Sequence, residues 1–482
     1  MRSPKGMLLP RIRAARVRRG NLYQTLRAAV LEGAFRPGQR FPSSRQAAAD
    51  YGISRGLVEE VFTQLTDEGF LERGVGRGTF IASRVAQLTP AKGKKKRKRS
   101  PSPSRRGLAI SANAACREPE IPVAFNAGTA DIKEFPWERW RLLEARAARE
   151  LGHEGLRFTD PRGLWSLRTA VARYVAQFRG MHCEPGQVIV FNSAQQALNA
   201  ISILLLDRGD AAWMEDPGYL GARAAFGIAG ARIVPVPVDD QGMRVDMGMR
   251  CSPRARLVYI TPSHQYPTGA ALSLERRIAL LDWSRRNDSW IVEDDYDGEF
   301  GYDGQLLTPL YSIDTDSRVL YIGTLNKAMF ASLRLAYAIV PERLVELLAN
   351  IRTQLDGFTP AVTQMAMSLF MEEGFFSVHL RRMRALYKAK RTALIEALSP
   401  LVACRWQCPT RPAGMHLVVR HQDGGLVRAL AEASSLDLAL LSSYRITRAS
   451  GDGLFLRYGA LEISSLQAGA ASLVATAARI RR

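Results

Sequence analysis

Four hydrophobic stretches between residues 188 and 327 of the 482-residue chain are each followed by polar residues that can bind or react. The stretches and the residues after them are Val188–Phe191 with Asn192, Ser193, Ala194 and Gln195; Trp213–Glu215 with Asp216–Tyr219; Trp290–Glu293 with Asp294–Asp297; and Val319–Ile322 with Gly323–Lys327. Together they provide N–H groups and hydroxyls for an anion, an aromatic ring, a carboxylate beside a phenol, and a lysine. Such a set suits a phosphorylated aromatic aldehyde.

Each of these groups matches one chemical need of pyridoxal phosphate. A lysine amine condenses with an aldehyde to form a Schiff base. A carboxylate keeps a pyridinium nitrogen protonated, and an aromatic side chain stacks on the ring. Backbone N–H groups, hydroxyls and an arginine bind the phosphate. The sequence therefore predicts a pyridoxal phosphate site.

Each residue of this set also has a plainer interpretation. Lys327 could be a surface lysine, Tyr219 could pack within its Pro-Gly turn, and Arg334 could pair with a carboxylate. The acidic run Glu293–Asp297 could bind a metal or form a charged helix N-terminus. Their joint occurrence at successive strand ends favours the cofactor, and we predict no metal site.

Predicted strands alternate with predicted helices from about Val123 onward. This alternation indicates an α/β domain, residues 121–482, with a mostly parallel sheet and helices on both faces. Ligands of open α/β sheets bind beyond the carboxyl ends of the strands, which is where all four polar clusters fall.

Positive charge is concentrated in the first fifth of the chain. The net charge is +21, and residues 1–106 hold 24 basic and 7 acidic side chains. This asymmetry favours a front end that binds a polyanion, although a charged tail that only keeps the protein soluble is the alternative. The run Lys92–Arg99 and the Ser/Pro-rich stretch that follows belong to a predicted basic linker, residues 84–120.

The segment before this linker has the pattern of a small DNA-binding domain. Apolar residues at helical spacing predict a helix over Asn21–Leu31. Ser43 is positioned to cap a second helix that ends at Gly52, and Ser54 to cap a third that continues to Glu68. Glycine-separated strands then predict a β-hairpin wing. We expect double-stranded DNA to contact the exposed polar residues of the third helix, the second helix and the wing, which are Ser43, Ser44, Arg45, Ser54, Arg55, Gly56, Arg77, Gly78 and Thr79. A protein-interaction domain of the same shape is the alternative.

The motifs Phe41–Asp50, Gly52–Arg55, Glu68–Leu71 and Gly76–Phe80 closely resemble the GntR-type winged helix-turn-helix, over residues 18–83. One departure is Gly56-Leu57, where the family often has Asn-Thr. Two hydrogen-bonding side chains are lost, so the operator sequence does not carry over.

Residues 123–478 resemble fold-type I aminotransferases, and in particular the MocR/GabR branch of GntR regulators. The motifs that carry this resemblance are Glu215–Tyr219, Thr261–Gly269, Glu293–Phe300 and Gly323–Lys327. The resemblance implies that Lys327 is the internal-aldimine lysine and that Asp294 pairs with the pyridine nitrogen. The other residues that it implies at the cofactor are Tyr296 at the ring oxygen, Tyr219 on the ring face, Asn192, Ser193, Ala194, Gln195, Thr324 and Arg334 at the phosphate, and His264 and Gln265 near the reacting carbon.

Two departures and one open choice bear on this site. Ser193 stands where the family usually has glycine, and it would weaken phosphate binding if the position needs a positive φ. Asn326 stands where the family has serine. Arg457 and Arg445 both fit the arginine that would bind an effector carboxylate, and the sequence does not choose between them.

The resemblance implies a homodimeric transcriptional regulator that senses a small amino compound, which displaces Lys327 from the cofactor. An active aminotransferase that regulates its own synthesis is the alternative, and a regulator that has lost the cofactor is a third hypothesis. The five scattered cysteines favour a reducing cytoplasm. We expect no membrane partner, because no apolar stretch approaches the length of a spanning helix.

Overall fold

The computed structural model describes residues 19–74, 76–87, 102–111, 123–126, 128–302, 307–408 and 413–480. The chain divides into two compact units, residues 1–102 and 103–482. The predicted basic run Lys92–Arg99 lies outside the described residues.

The N-terminal unit contains three helices followed by a hairpin. The elements are α1 (Arg19–Leu31), α2 (Ser44–Tyr51), α3 (Arg55–Asp67), β1 (Leu71–Gly74) and β2 (Gly78–Ile81). The two strands pair antiparallel, with Leu71 opposite Ile81. This is the winged helix-turn-helix that the sequence predicted.

Both predicted helix caps are present in this unit. The Ser43 hydroxyl accepts a hydrogen bond from the Gln46 N–H, and the Ser54 hydroxyl accepts one from the Leu57 N–H. Each cap satisfies a donor that the first helical turn leaves unpaired. The helices therefore begin where the serines place them.

The predicted linker region contains local structure at both of its ends. Residues Ser83–Gln87 form a 3₁₀ turn, and α4 (Arg105–Ser111) is a short helix. A nitrogen of the Arg106 guanidinium donates to the Ile228 carbonyl at 2.5 Å, which attaches α4 to the large unit. The boundaries of the linker stay a prediction.

An eight-stranded sheet forms the centre of the large unit. Its strands are β3 (Val188–Phe191), β4 (Ala211–Asp216), β5 (Arg232–Asp239), β6 (Gly242–Met243), β7 (Leu257–Ile260), β8 (Trp290–Asp295), β9 (Val319–Thr324) and β10 (Ala336–Ile339). They follow the order β3-β10-β9-β8-β7-β4-β5-β6. The pairs from β9 to β5 are parallel, whereas β10 and β6 run antiparallel to their neighbours.

Helices cover both faces of this sheet, as predicted. They are α5 (Trp137–Leu151), α6 (Trp165–Arg179), α7 (Ala194–Leu205), α8 (Leu220–Ala229), α9 (Val245–Cys251), α10 (Leu274–Arg286), α11 (Glu342–Leu355), α12 (Ala361–Glu372) and α13 (Phe375–Val402). Alternate residues of β3 enter different cores: Val188 and Val190 join one, and Ile189 and Phe191 join the other. The two-residue period of a strand buried on both faces accounts for this split.

A second, three-stranded antiparallel sheet lies near the end of the chain. It contains β11 (His416–His421), β12 (Ala439–Leu440) and β13 (Asp452–Arg457), in the order β11-β13-β12. Helices α14 (Gly424–Ala433) and α15 (Ile463–Ile480) complete it. Among the described helices, none combines the length and apolar character needed to cross a membrane.

Candidate cofactor site and DNA-binding surface

One edge of the large sheet collects the predicted phosphate-binding residues. The first residue of β10, Ala336, is paired with Phe191 at the end of β3 and with Thr324 at the end of β9. Because β10 runs antiparallel to both neighbours, it begins at the edge where β3 and β9 end. Arg334, two residues before β10, therefore lies at that edge. The topology thus brings together three segments that are distant in sequence.

The N-terminus of α7 forms the centre of this edge. Ser193 is its N-cap, with its hydroxyl accepting from the Gln196 N–H at 3.1 Å. The φ of Ser193 is −168°, an extended conformation that any residue adopts, so the replacement of glycine causes no backbone strain here. The N–H groups of a first helical turn, to which Ala194 and Gln195 belong here, suit a phosphate.

The side chains of Asn192 and Gln195 connect the N-terminus of α7 to neighbouring segments through hydrogen bonds. The Asn192 amide donates to Asp356 at 2.9 Å, and the Gln195 amide donates to the Gly221 carbonyl at 2.9 Å. A Cβ at Gly221 would lie 2.5 Å from the Tyr219 ring, so the glycine allows that ring to lie flat against the start of α8. The two amides therefore position the cradle and the predicted stacking ring.

Asp294 has the chemistry expected of a partner for a pyridinium nitrogen. Its Oδ2 accepts a hydrogen bond from Tyr259 at 2.8 Å, while its buried Oδ1 has no hydrogen-bond partner among the described residues. Burial raises the pKa of this carboxyl to about 7. A cationic N–H placed against Oδ1 would satisfy that oxygen and favour the ionised carboxylate.

Lys327 follows β9 in a loop that Asn326 stabilises. The Asn326 Oδ1 accepts from the Leu335 N–H at 3.0 Å, so this departure from the family serine closes the loop. Lys327 Nζ donates to the Gly128 carbonyl and lines a small cavity. The complete lining is Gly128, Tyr266, Tyr296, Asp297, Lys327, Met415, His416, Phe455 and Arg457.

Tyr296 is placed to donate a hydrogen bond inside this region. His264 Nδ1 lies 2.9 Å from Asp297 Oδ2 and 3.0 Å from the Tyr296 hydroxyl. Because the Asp297 carboxylate accepts, Nδ1 carries the proton, and the Tyr296 hydroxyl keeps its own proton for another acceptor. Burial also raises the pKa of Tyr296 well above its usual value, so it stays a donor.

The Gln265 side chain makes hydrogen bonds to its own loop and to the loop that follows β4, and it does not line the cavity. Its Nε2 donates to the Pro217 and Tyr266 carbonyls, and its Oε1 accepts from Thr268. The cavity lining includes the next residue, Tyr266, but neither Gln265 nor His264. Both residues hold the loop and its neighbours in place.

The two late arginines differ in their position. Arg457, at the end of β13, lines the cavity and donates to the Asn126 carbonyl at 2.6 Å and to the Tyr444 hydroxyl at 3.1 Å. Arg445 donates to the Gly451 carbonyl and is absent from the lining. The geometry favours Arg457 as the residue that meets a carboxylate.

Arg334 is exposed, and among the described residues it makes no hydrogen bond or ion pair. Its backbone is left-handed, with φ at +55°, immediately before β10. Thr324 is buried at the end of β9 and accepts from the Asn326 N–H at 3.3 Å. Both residues are available at the edge where the phosphate is expected.

The predicted DNA contacts surround a groove of the N-terminal unit. Ser43, Ser44, Gly78 and Thr79 line it, and Arg45, Ser54, Arg55, Gly56 and Arg77 are exposed. The Arg55 Nε donates to the Ser44 hydroxyl at 3.4 Å, which connects α3 to the start of α2. Arg40 and Arg73 also line the groove, and the sequence interpretation missed both. Arg40 directly precedes the Phe41–Asp50 motif, which is a signal that could have identified it.

Two family models match the chain, one for each unit. "Bacterial regulatory proteins, gntR family" matches residues 18–81, and "Aminotransferase class I and II" matches residues 122–452. The probable rhizopine catabolism regulatory protein MocR of Rhizobium meliloti is 36% identical over 458 residues, which cover 94% of this chain and 92% of the relative. The chain belongs to the MocR branch of GntR regulators.

Other relatives agree with this assignment to the MocR branch. The pyridoxine biosynthesis transcriptional regulator PdxR of Corynebacterium glutamicum is 30% identical, over 92% of this chain and 93% of the relative. Among solved structures, LysN, an alpha-aminoadipate aminotransferase from Thermus thermophilus in complex with N-(5'-phosphopyridoxyl)-L-leucine, superposes with a TM-score of 0.67 at 26% identity. That match covers 74% of this chain and 92% of LysN. This MocR-type chain is therefore a transcriptional regulator with an aminotransferase-like domain.

The sequence interpretation missed His416 and Tyr266 as cavity residues of this MocR-type protein. Tyr266 lies inside a motif that the interpretation used, one position after Gln265. His416 lies on β11, whose hydrophobic pattern gives no sign that the strand faces Lys327. Only the tertiary arrangement of the small sheet reveals it.

The raised pKa of Asp294 predicts a specific pH dependence of stability. In the cofactor-free protein the folded state holds the Asp294 proton up to about pH 7, whereas the unfolded chain releases it near pH 4. The contribution of Asp294 to the free energy of unfolding is therefore fully present below the unfolded pKa. Between the two pKa values it falls by about 1.4 kcal/mol per pH unit as the pH rises. Between pH 5 and pH 7, urea unfolding should show a loss that is about 2 kcal/mol larger for the wild type than for Asp294→Asn. The exposed Asp207→Asn is the matched control, and equal pH slopes in the wild type and Asp294→Asn would contradict the prediction.

Proposed function

We propose that this regulator binds pyridoxal phosphate at Lys327 and senses a small amino compound that takes the place of the lysine on the cofactor. The amine exchange changes how the winged domain binds promoter DNA. The single observation that carries this proposal is that Lys327 Nζ and Arg457 both donate to main-chain carbonyls of one short segment, at Gly128 and Asn126.

The residues present fit the cofactor. Asp294 supplies a buried oxygen without a partner among the described residues, and the first turn of α7 supplies N–H groups for a phosphate. When bound, pyridoxal phosphate supplies an aldehyde carbon that condenses reversibly with amines. Lys327 and Tyr296 both line the cavity, so an incoming amine that enters it would meet the lysine there.

The cavity favours an amine that also carries an anionic group. Arg457 contributes a cation on the side of the small sheet, with its guanidinium over the Phe455 ring at 5.0 Å. Its Nη2 donates to the hydroxyls of Tyr266 and Tyr444, which orient it. A carboxylate would exchange these neutral acceptors for a charge-assisted hydrogen bond.

The segment that contains Asn126 and Gly128 connects the cavity to the predicted linker along the chain. Its downstream end is anchored, because Lys390 Nζ pairs with Asp131 at 2.7 Å and the Asp131 N–H donates to Tyr387. Its upstream end, at Val123, follows the predicted linker in sequence. Exchange at the cofactor would return Lys327 to a free amine and would draw Arg457 toward the anionic group of the effector. The contacts at the Asn126 and Gly128 carbonyls would then change in the segment that leads to the DNA-binding unit.

We further propose a homodimer, which would present two winged domains to two DNA half-sites. Leu156, Phe158 and Trp165 are 83%, 91% and 61% exposed, which is unusual for a cluster of large apolar side chains close in sequence. The Phe158 ring also packs edge-on against Phe358 at 5.6 Å, which extends the apolar surface. A second copy of the chain is the partner that would bury it.

Replacement of Lys327 tests the cofactor proposal. Wild-type protein saturated with pyridoxal phosphate should show a visible absorbance band and a covalent adduct after borohydride reduction, and Lys327→Ala should show neither. The exposed Lys388→Ala is the control and should behave as wild type. An adduct that persists in Lys327→Ala would contradict the assignment.

Promoter binding that is unchanged by every amine tried, with the cofactor bound, would contradict sensing. Sustained amino transfer to a keto acceptor would favour the alternative function, an active aminotransferase.

Arg55→Ala should weaken promoter binding and reduce the slope of log K against log salt by about 1, because one phosphate contact is lost. Gel shifts over a series of salt concentrations measure both effects. Arg250, exposed on α9, provides the control Arg250→Ala for a simple change of net charge. Identical slopes for Arg55→Ala and wild type would exclude a phosphate contact by Arg55.

Phe158→Ser should weaken dimerisation by about tenfold or more, because a large apolar anchor is removed from the interface. Sedimentation velocity over a dilution series measures the dissociation constant. Ile278→Ser, at a residue that is 53% exposed on α10, is the matched control. A monomeric wild type, or a dimer equally stable in Phe158→Ser, would contradict the proposed interface.

A further inference from the structure

His416 is a buried imidazole in the wall of the cavity that holds Lys327. It begins β11, is 6% exposed, and lines the cavity together with Arg457 from β13. The Phe455 ring packs against it at 4.7 Å and the Tyr266 ring at 5.5 Å. Its position is therefore fixed by packing on two sides.

The hydrogen bond of His416 fixes its tautomer. Its Nε2 lies 3.1 Å from the Pro267 carbonyl oxygen, so Nε2 carries the proton and donates. Burial lowers the pKa of His416 well below its usual value, and the nearby His264, Arg457 and Lys327 lower it further. The ring is consequently neutral, with a lone pair on Nδ1.

Nδ1 is the ring nitrogen of His416 that can accept a hydrogen bond from a ligand. Among the described residues it has no hydrogen-bond partner, since the Pro267 contact uses the other nitrogen. Any hydrogen bond between His416 and a molecule in the cavity must therefore run from a donor on that molecule to Nδ1.

Several other polar groups around the cavity are donors or already accept a hydrogen bond. Lys327 and Arg457 are donors, and Tyr296 keeps its proton. The Oδ2 of Asp297 accepts from His264, and the Gly128 carbonyl accepts from Lys327. A ligand with only methylene groups between its amine and its carboxylate would leave Nδ1 dry and unpaired, which is costly.

A metal does not explain the cluster. A ring nitrogen of His264, one of His416 and an oxygen of Asp297 all lie within 4.8 Å of one another. However, Gly414 packs so closely on the His264 ring and Asp297 that a Cβ there would overlap the imidazole. His264 and Asp297 are also hydrogen-bonded to each other directly, with the Gly414 backbone packed against both.

We propose that His416 is a specificity-determining residue that selects effectors with a hydroxyl group between the amine and the carboxylate, by accepting a hydrogen bond from that hydroxyl. The ligand class is thus the hydroxylated amino acids. This inference rests on the proposed function, because it concerns the same cavity.

Matched pairs of amines test this selection on the full-length, cofactor-loaded protein. The pairs are 4-aminobutyrate with 4-amino-3-hydroxybutyrate, 3-aminopropanoate with 3-amino-2-hydroxypropanoate, and 5-aminopentanoate with 5-amino-4-hydroxypentanoate. Titration of each amine, followed by the cofactor absorbance, gives its dissociation constant. In at least one pair the wild type should bind the hydroxylated member about 10- to 100-fold more tightly than its partner.

Three variants separate the hydrogen bond from packing. His416→Phe keeps a flat ring without an acceptor and should lose the preference, while His416→Gln keeps an acceptor and should retain part of it. The exposed His182→Phe should keep the wild-type preference. Thermal denaturation confirms that each variant folds.

Three results would overturn the proposal. They are equal affinities within all pairs for the wild type, an undiminished preference in His416→Phe, and a preference that chelators abolish. Any amine-dependent absorbance change in the wild type would still support the proposed function, so the two proposals fail separately. If no amine of any pair binds, the hydroxylated amino acids are excluded as the ligand class.

Discussion

The buried carboxyl group of Asp294 is the constraint on which the candidate site depends. One of its oxygens is held by Tyr259 and the other has no hydrogen-bond partner among the described residues. An unpaired buried acceptor costs about 1–3 kcal/mol, which a protein sustains where a ligand later satisfies the group. The ends of β3 and β9 and the start of β10 bring the N-terminus of α7 and Lys327 to the edge of the sheet at which β8 ends with Asp294 and Asp295.

The acidic groups behind Asp294 explain why the site is electrostatically strained. Burial raises the pKa of Glu215, Glu293 and Glu299 to about 7, and Asp295 is paired with the buried Arg179. The charge of Asp295 also disfavours ionisation of Asp294, Glu293 and Glu299. A cationic ring nitrogen bound at Asp294 would oppose this repulsion, which links cofactor binding to the stability of the whole sheet.

Local patterns were sufficient to predict much of this molecule. Serine caps, the hairpin glycines and the strand-to-turn clusters depend on neighbouring residues, and the structure forms them where expected. The rest required tertiary contacts. The Ser193 backbone is extended, so the loss of a glycine there has no conformational cost. The Gln265 amide is engaged by hydrogen bonds to Pro217, Tyr266 and Thr268. His416 reaches the cavity from a strand 89 residues after Lys327. Spacing along the chain does not contain such information.

The contacts of Lys327 and Arg457 with the segment that follows the linker are made to carbonyl oxygens, which every amino acid supplies. Side chains along Asn126 and Gly128 can therefore change without removing either contact. Substitution of the side chains at these two positions would leave both acceptors in place, so a coupling route of this kind would escape a search by mutagenesis. Peptide-bond isosteres such as backbone esters, which weaken a carbonyl as an acceptor, would expose it instead.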